Sequence, residues 1–265
     1  MNDVQKGLLV IMDHFDKTMR ENGIPYSLAY GTAIGAARHR GFVPWDDDMD
    51  VFIYKEDVER FEKAFEKSDN DKFFLQKPLS IDWPYLFYKI RLNNTTAIEK
   101  KYINTRIHQG LFIDVFVLEK YPTSKIRRKM FNFVMLGIRA LQTVCDGRMG
   151  KKWFNPIQKI INSSVKVLNS ILNLIPEKNS KYASIRLPWY WKIIDMDYMT
   201  DLTDIEFETS DRKYMIVSNY DTMLRANYGD YMQLPPENER VGGHLYAFDM
   251  NMDYKKWLAK NYNRK

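Results

Sequence analysis

Four aspartates within five positions, between Asp46 and Asp50, run directly into the apolar triplet Val51-Phe52-Ile53. Like charges repel, so a run of this kind normally lies in a solvated turn or at a helix end. The residues that follow it instead favour a buried β-strand. The chain must therefore fold so that a strand enters the core while its acidic start stays at a cleft or in water.

Strand alternation divides this acidic run between two faces. Side chains two positions apart in a strand project to the same side, so Asp48 and Asp50 are expected to point together. Met49, Val51 and Ile53 then fill the opposite, apolar face. We expect Asp46 to be an outer neighbour of this pair and Asp47 to be solvated.

A second strand carries a matching acid. Asp114 stands between Ile113 and Val115 in GLFIDVFVLE, the strongest strand prediction in the chain. An unpaired carboxylate in an apolar strand is strongly unfavourable unless a metal or a cleft accommodates it. Hard cations such as Mg²⁺ prefer oxygen ligands, so the acids of the two strands predict a metal site.

Two simpler interpretations compete with a metal site. The acidic run alone is more typical of a solvated turn or a helix cap. A calcium loop of the EF-hand type can be tested by counting Asp46, Asp48 and Asp50 as the first three ligands. That count places Val51 where glycine is required and Asp57 where glutamate is required, so the EF-hand interpretation fails.

Gly31 and Thr32 precede the acidic run at a predicted strand-to-helix junction. A glycine there lets a phosphate approach the backbone, and the helix N-terminus offers N–H groups and a partial positive charge. Alone, such a glycine more often only forms a turn. Followed by a helix, by Asp-x-Asp on a strand and by a later strand acid, it resembles the nucleotidyltransferase fold, in which three carboxylates hold two metal ions over nucleotide phosphates.

The similarity extends to a narrower group. The segment YGTAIGAARHRGFVPWDDDMDVFI is similar to the signature of the LicD family, which transfers phosphocholine from CDP-choline to bacterial glycans. YKIRLNNTTAIE, GLFIDVFVLE and YGDYMQLPPENERVGGH resemble later blocks of that family in the same order, so the similarity covers residues 22–244. More distant relatives, the fukutin-related proteins, transfer ribitol phosphate from CDP-ribitol. The resemblance therefore implies a shared chemistry rather than one substrate.

The resemblance implies an α/β (α+β) fold with a nucleotidyltransferase-type mixed sheet. We expect residues 1–121 to form this core and residues 122–265 to form a helical and irregular part that completes the cleft. It further implies that Asp48, Asp50 and Asp114 are catalytic and bind two Mg²⁺ ions, with Mn²⁺ as an alternative.

The resemblance also implies residues that bind the donor. Gly31 and Thr32 would contact its phosphate, and Lys89 and Arg91 would clamp the pyrophosphate, a task that suits the arginine fork. The family commonly has an acid after this arginine, whereas this chain has Leu92, which cannot make the contacts of a carboxylate.

Three further cations are candidates with simple alternatives. Arg38 either complements the helix dipole or binds an anion in the cleft. Arg240 and His244 belong to a loop that is either a plain surface loop or, as the resemblance implies, a contact for substrate.

Composition limits the remaining alternatives. With 40 Lys and Arg against 34 Asp and Glu, the chain carries a net charge of +6, which favours anionic partners. Its single cysteine, Cys145, excludes an intrachain disulfide and favours a cytoplasmic location. The N-terminal segment is unlike a signal peptide. No nucleic-acid-binding motif is present, so we expect no nucleic-acid partner.

Apolar residues at helical spacing predict helices over residues 4–21, 125–145, 155–175 and 211–227. The apolar stripe of residues 155–175 either packs on the core or, with its lysines, lies peripherally on the inner face of a membrane. The resemblance implies an acceptor built on a lipid carrier, either an oligosaccharide or a polysaccharide.

We therefore expect transfer of phosphocholine, or a related alcohol phosphate, from a CDP-alcohol to a glycan hydroxyl with release of CMP. Asp114 or a neighbouring acid would accept the hydroxyl proton. One competing hypothesis is a true nucleotidyltransferase that attacks the α-phosphorus of a nucleoside triphosphate. The other is a non-catalytic protein at the membrane. Neither the transferred alcohol phosphate nor the acceptor glycan follows from the sequence.

Overall fold

The computed structural model describes residues 1–68, 71–186, 193–199, 201–243 and 245–261 and confirms the predicted mixed α/β class. Within these residues the helices, in chain order, are α1 (Asp3–Glu21), α2 (Tyr30–His39), α3 (Val58–Glu66), α4 (Lys125–Cys145), α5 (Asn155–Leu174), α6 (Tyr220–Tyr228) and α7 (Tyr254–Asn261). Of the predicted helices, those over residues 4–21, 125–145 and 155–175 are confirmed to within one residue at each end.

The described strands are β1 (Tyr26–Leu28), β2 (Asp50–Tyr54), β3 (Phe73–Gln76), β4 (Tyr88–Leu92), β5 (Thr96–Glu99), β6 (Phe112–Tyr121), β7 (Tyr182–Ser184), β8 (Ile193–Asp195), β9 (Leu202–Phe207), β10 (Thr209–Val217) and β11 (Leu245–Asp249). The central mixed sheet has the order β1-β2-β6-β4-β3, and β7 and β8 extend it from the far end of β6. Strands β2 and β6 run parallel, and the other pairs of this sheet are antiparallel.

Helix α1 covers one face of the sheet because its apolar residues recur at helical spacing. A capping box at Asn2 and Gln5 fixes its start, since each side chain accepts a hydrogen bond from the backbone N–H of the other. Leu8, Met12 and Phe15 are fully buried. Phe15 continues into an aromatic cluster with Tyr26 of β1 and Phe61 of α3, which joins α1 and α3 to the sheet.

The C-terminal half adds strands and contacts to the N-terminal half at three places. Strand β7 pairs with β6, and β11 pairs with β5. Strand β10 lies beside β1, where the Val217 backbone N–H donates to Ser27 Oγ. All three contacts join residues on opposite sides of the predicted boundary at residue 121. The division of the chain into a core over residues 1–121 and a following part stays a prediction.

The predicted helix over residues 211–227 is wrong for its first half. Strand β10 occupies residues up to Val217, and the helix there begins only at Tyr220. The reason is pairing that is distant in the chain: β10 bonds along β9, and Met215 N–H donates to the hydroxyl of Tyr26. Tertiary hydrogen bonds here override a local pattern that is compatible with either structure.

Two adjacent residues at the end of helix α2 have different roles. Arg40, rather than Gly41, adopts the left-handed conformation (φ 55°) after the last helical residue. Gly41 is required for another reason, since a Cβ there would lie 2.3 Å from the carboxylate oxygen Oε1 of Glu208. That carboxylate accepts a hydrogen bond from the Phe42 backbone N–H, so the residue that joins β9 to β10 holds the end of α2 in place.

Substituting Gly35 should test how tightly α2 packs on the loop before the acidic run. A Cβ at Gly35 would lie 2.4 Å from the Gly41 carbonyl oxygen and 3.1 Å from the Val43 nitrogen, both rigid backbone atoms. We expect Gly35→Ala to lower the free energy of unfolding by about 1–3 kcal/mol, the usual range for overpacking. Denaturant unfolding of the purified protein measures the change.

Gly137→Ala is the matched control, because Gly137 is also helical but its added Cβ would meet only Leu168 Cδ1 at 3.8 Å. Alanine is the better helix former by about 1 kcal/mol, so this variant should be as stable as the wild type or more stable. Equal stabilities of the Gly35→Ala protein and the wild type would show that α2 does not pack as described.

Candidate active site

A row of polar side chains crosses the central sheet at one level. Asp50 of β2 lies opposite Asp114 of β6, Asp114 lies opposite Lys89 of β4, and Lys89 lies opposite Gln76 of β3. Neighbouring strands are about 4.8 Å apart, so residues paired in this way are direct neighbours on one face. The structure therefore brings together two of the predicted metal ligands and one predicted donor ligand.

The remaining predicted metal ligand, Asp48, lies just before β2 rather than within it. The negative charge of Asp48 nevertheless contributes to raising the pKa of Asp46, Asp50 and Asp114, so it lies close to all three. Backbone hydrogen bonds hold this end of β2 in place: the Asp114 N–H donates to the Met49 carbonyl oxygen at 2.8 Å.

Burial and mutual repulsion dominate the electrostatics of these acids. Loss of water raises the pKa of Asp50 well above its ordinary value, and the charges of Asp48 and Asp114 add to the effect. Burial, followed by the charge of Asp48, raises the pKa of Asp46 to about 8. Burial likewise raises that of Asp114 to about 6, although Lys89 opposes the change. The cluster therefore holds more negative charge than its own surroundings neutralise.

Lys89 is the cation built into the row. Its Nζ lies 2.7 Å from Asp114 Oδ1, and only 2% of the side chain is exposed. The ammonium also lies over the ring of Phe112, 3.3 Å from the centroid, so aromatic faces replace part of its lost hydration. The predicted role of Lys89 next to a donor phosphate stays a prediction, but the structure places it in direct contact with a predicted metal ligand.

Arg91 lies behind this row, fully buried. Its Nε donates to Gln76 Oε1 and its Nη1 donates to the Gly110 carbonyl, and Nη2 lies 3.8 Å from Glu99 Oε2. The guanidinium is thus engaged mainly with the protein itself. Its predicted contact with pyrophosphate stays a prediction.

Glu99 and Gln76 are members of the site that sequence reasoning missed. Glu99 Oε2 is 3.6 Å from Lys89 Nζ, so it faces both buried cations. The alternation of side-chain directions along β5 is the only sequence signal that could have indicated Glu99. Its proximity to Lys89 depends on packing between segments that are distant in the chain. Together Asp114, Lys89, Glu99 and Arg91 form a chain of alternating charges, which fixes the position of Lys89.

Gly31 and Thr32 lie in the first turn of α2, at the edge of the acid cluster. The Thr32 hydroxyl accepts a hydrogen bond of 2.8 Å from the Asp50 backbone N–H, which couples the helix start to β2. A Cβ at Gly31 would lie 2.8 Å from Asp46 Oδ2. The structure places the glycine and the threonine beside the acids, while their contact with a phosphate stays a prediction.

The acidic loop is held from two sides. Gln5 of α1 donates to the Asp46 carbonyl oxygen at 3.1 Å from beneath. From above, Gly242 packs so closely on the Trp45 carbonyl oxygen that a Cβ would lie 2.4 Å from it.

The prediction that Asp47 is merely solvated is wrong: it is partly buried, and its Oδ2 accepts a hydrogen bond from the Leu245 N–H. The loop of residues 235–243 thus lies against the acidic run.

The three further predicted cations are placed differently. Arg38 donates from Nη1 to the carbonyl oxygens of Tyr231 and Gln233, so it joins α2 to the C-terminal half. Arg240 donates to the Pro235 carbonyl, and its guanidinium lies 5.8 Å from the Trp45 ring centroid. His244 lies outside the described residues. Arg240 is therefore next to the acidic loop, whereas Nη1 of Arg38 is occupied by backbone carbonyl oxygens and its Nε donates to His39 Nε2.

The cluster fits a cation in charge and in ligand type. Asp46, Asp48, Asp50 and Asp114 provide oxygen ligands of the kind that Mg²⁺ prefers, and a divalent ion would relieve the repulsion that raises their pKa values. Across the described ranges, no three acidic, histidine or cysteine side chains already converge in ligand geometry. The described structure thus shows the charge required for a metal site but not a finished coordination shell.

Replacing Asp50 should stabilise the metal-free protein. In the folded state its pKa is raised above the unfolded value of about 3.9, so its folded state binds a proton more tightly than the unfolded state does. The associated stability is present at low pH and is lost as pH rises. Asp50→Asn removes the charge, and we expect it to raise the free energy of unfolding at pH 8 in EDTA by about 1–2 kcal/mol.

The advantage of Asp50→Asn should shrink as the pH is lowered toward the unfolded pKa, since the wild-type carboxyl then becomes neutral as well. Asp71→Asn, in an exposed turn, is the control and should change the unfolding free energy by less than about 0.5 kcal/mol. Thermal unfolding at several pH values measures both. A destabilised Asp50→Asn protein at pH 8 would contradict the electrostatic description.

Comparison with known proteins agrees with this geometry. Residues 23–140 match the family model described as "LicD/FKTN/FKRP, nucleotidyltransferase domain". This range includes α2, the acidic run, the β4–β6 region and the whole polar row. The match thus falls on the part of the chain that carries the candidate site.

Individual relatives extend the comparison. The chain is 26% identical over 264 residues to the lipopolysaccharide cholinephosphotransferase LicD of Haemophilus influenzae, an alignment that covers 92% of this chain and 96% of that protein. It is 53% identical over 36 residues to the ribitol 5-phosphate transferase FKRP of Homo sapiens, covering 14% of this chain and 7% of that protein. Residues 23–140 therefore match the LicD/FKTN/FKRP family model, and the alignment with LicD extends this similarity over most of the chain.

Proposed function

We propose that the chain transfers phosphocholine, or a related alcohol phosphate, from a CDP-alcohol to a hydroxyl group of a cell-surface glycan precursor. The observation that carries this proposal is the row of Asp50, Asp114 and Lys89 beside the α2 N-terminus, within a chain that aligns over most of its length with a cholinephosphotransferase. Relatives named for two different alcohol phosphates support the transfer of an alcohol phosphate without selecting one.

In this proposal Asp48, Asp50 and Asp114 hold Mg²⁺, with Mn²⁺ as an alternative and two ions expected. When bound, such ions supply positive charge that stabilises the pyrophosphate oxygens during displacement. The support is the excess negative charge of the cluster, which raises the pKa values of Asp50 and Asp114.

The proposed reaction is an in-line displacement at the β-phosphorus of the donor. The acceptor oxygen forms a new bond to that phosphorus, the bond from the β-phosphorus to the bridging oxygen breaks, and CMP leaves with the bonding electron pair. The acceptor hydroxyl proton passes to a carboxylate of the cluster, for which Asp114 is our candidate. Positioning and electrostatics supply most of the acceleration in such transfers.

Other residues have proposed roles in binding. The first turn of α2, with Gly31 and the Thr32 hydroxyl, would contact the donor phosphate through backbone N–H groups. Lys89 would keep Asp114 ionised and add positive charge near the pyrophosphate. The loop of residues 235–243, which packs on Trp45, would close the cleft and contact the acceptor or the alcohol group.

Donor assays test the proposal directly. The purified chain with Mg²⁺ and a glycan acceptor should release CMP from at least one of CDP-choline, CDP-glycerol and CDP-ribitol. Asp48→Asn should lower kcat by about a thousandfold or more, since it removes a charge that stabilises the transition state. Asp71→Asn, far from the cluster in the chain and exposed, should retain full activity. Release of CMP is measured by chromatography.

Two outcomes would count against the proposal. Pyrophosphate release from CTP, with no CMP from any CDP-alcohol, would identify a nucleotidyltransferase that acts at the α-phosphorus. Full biological activity of the folded Asp48→Asn protein would show that the chain does not act as an enzyme.

The C-terminal loop offers a second test, with adjacent glycines as test and control. A Cβ at Gly242 would lie 2.4 Å from the Trp45 carbonyl oxygen, so Gly242→Ala must displace the loop from the acidic run. We expect kcat/KM to fall by about tenfold or more through misplacement of binding groups. Steady-state kinetics with the preferred CDP-alcohol measures the change.

Gly243→Ala is the control, because a Cβ at that position meets nothing within 4 Å. It should leave kcat/KM within about twofold of the wild type, since an exposed substitution usually has little effect. If the two variants have equal kinetics, the packing of the loop on Trp45 has no role in catalysis.

A further inference from the structure

Helix α4 exposes apolar side chains along the side that faces away from the core. Phe131, Met135 and Ile138 are buried against the protein. On the other side, Ile126, Met130 and Phe133 recur at helical spacing and are exposed, Phe133 at 77% of its area. A helix that rests on its own core normally carries polar residues on its outer side. This helix is apolar on both sides.

Helix α5 repeats the arrangement. The apolar stripe identified in its sequence divides in two: Val165 and Leu172 are buried, whereas Ile160 and Ile171 are 69% and 42% exposed. The interpretation as a core-facing helix is therefore correct for only half of that stripe. In the part of the chain that the structure describes, 11 of the 21 exposed large apolar side chains lie between residues 126 and 174.

The two exposed stripes form one surface. Helices α4 and α5 pack antiparallel, since Arg127 near the start of α4 donates to the Ile175 carbonyl and Gly137 lies against Leu168. On each helix, the exposed stripe is displaced around the helix axis from the residues that contact the other helix. Helical spacing of 3.6 residues per turn gives this displacement the same sense in both helices when each is viewed from its own N-terminus. Because the two helices are antiparallel, both stripes then lie on the same side of the pair. We call this surface, centred on Phe133 and Ile160, the hairpin face.

The charge around the hairpin face has one sign. Residues 125–175 contain ten Lys or Arg and one acid, Asp146, a net charge of +9. The rest of the chain has 30 Lys or Arg and 33 Asp or Glu, a net charge of −3. Lys129, Lys159 and Lys166 are exposed on α4 and α5 themselves. The excess positive charge of the protein is therefore concentrated in the hairpin.

We propose that the hairpin face docks on an anionic lipid bilayer surface, with α4 and α5 lying flat in the interface. An exposed apolar stripe bordered by basic residues is the pattern of an interfacial helix, and each Lys or Arg near anionic headgroups adds to the attraction. No described helix is long and apolar enough to cross a membrane. The apolar side chains enter the acyl boundary, and the lysines contact the headgroups.

Charge favours lipid over a second copy of the chain. A two-fold dimer through this face would bring identical surfaces together, each with the same excess of positive charge. Like charges across an interface oppose association. An anionic bilayer supplies both the opposite charge and the apolar phase that these side chains need. The proposal does not depend on the proposed catalytic activity.

Vesicle binding tests the proposal on the full chain. The protein should co-sediment with vesicles of equimolar phosphatidylglycerol and phosphatidylcholine, much less with phosphatidylcholine alone, and less as salt rises. Phe133→Ser combined with Ile160→Ser should weaken binding by about tenfold or more, because both side chains lose apolar area for burial. Lys159→Gln combined with Lys166→Gln should weaken binding to anionic vesicles and reduce its dependence on salt.

The matched control is Val10→Ser combined with Ile193→Ser, two exposed apolar residues outside the hairpin, which should bind vesicles as the wild type does. Unchanged thermal unfolding of each variant shows that the fold is intact. Absence of binding to anionic vesicles, or binding that the Phe133/Ile160 substitutions do not weaken, overturns the proposal. So does a dimer, measured by light scattering, that those substitutions dissociate without any effect on lipid binding.

Discussion

Repulsion between carboxylates that the sheet forces together is the constraint on which the site depends. The parallel pairing of β2 with β6 makes Asp50 and Asp114 direct neighbours, and the antiparallel pairing of β6 with β4 brings in Lys89. Burial then deprives these charges of water. One ammonium cannot neutralise several carboxylates. The fold therefore maintains an unfavourable arrangement that a divalent cation would relieve, which is the pattern expected where function opposes stability.

The surrounding structure serves to hold this arrangement in place. Gln5 of α1 donates a hydrogen bond to the backbone of the acidic loop, and Thr32 of α2 accepts one from the start of β2. Gly242, in the C-terminal half, packs closely against Trp45. Behind the row, Glu99 and Arg91 fix Lys89 by alternating charge. Elements far apart in the chain thus meet at one loop. Many separate contacts offset the repulsion, so no single one needs to be strong.

Sequence patterns predicted the parts of the structure that depend on local periodicity. The helices near residues 4–21 and 125–145, and the strand that carries Asp114, follow from apolar spacing alone. Patterns failed where partners are distant. Strand β10 was predicted as a helix because its hydrogen bonds come from β9 and β1. Glu99 was missed for the same reason, and Asp47 was misplaced because Leu245 reaches it across the fold.

The isoelectric point of about 9.1 averages two unlike regions, a mildly acidic body and a strongly basic hairpin. Such a molecule has a permanent electric dipole moment, because its charges are separated in space rather than mixed. In a field, or near any charged body, it experiences a torque as well as a net force. It should therefore rotate before it contacts a charged partner, and its net charge does not indicate which side of the molecule makes the first contact.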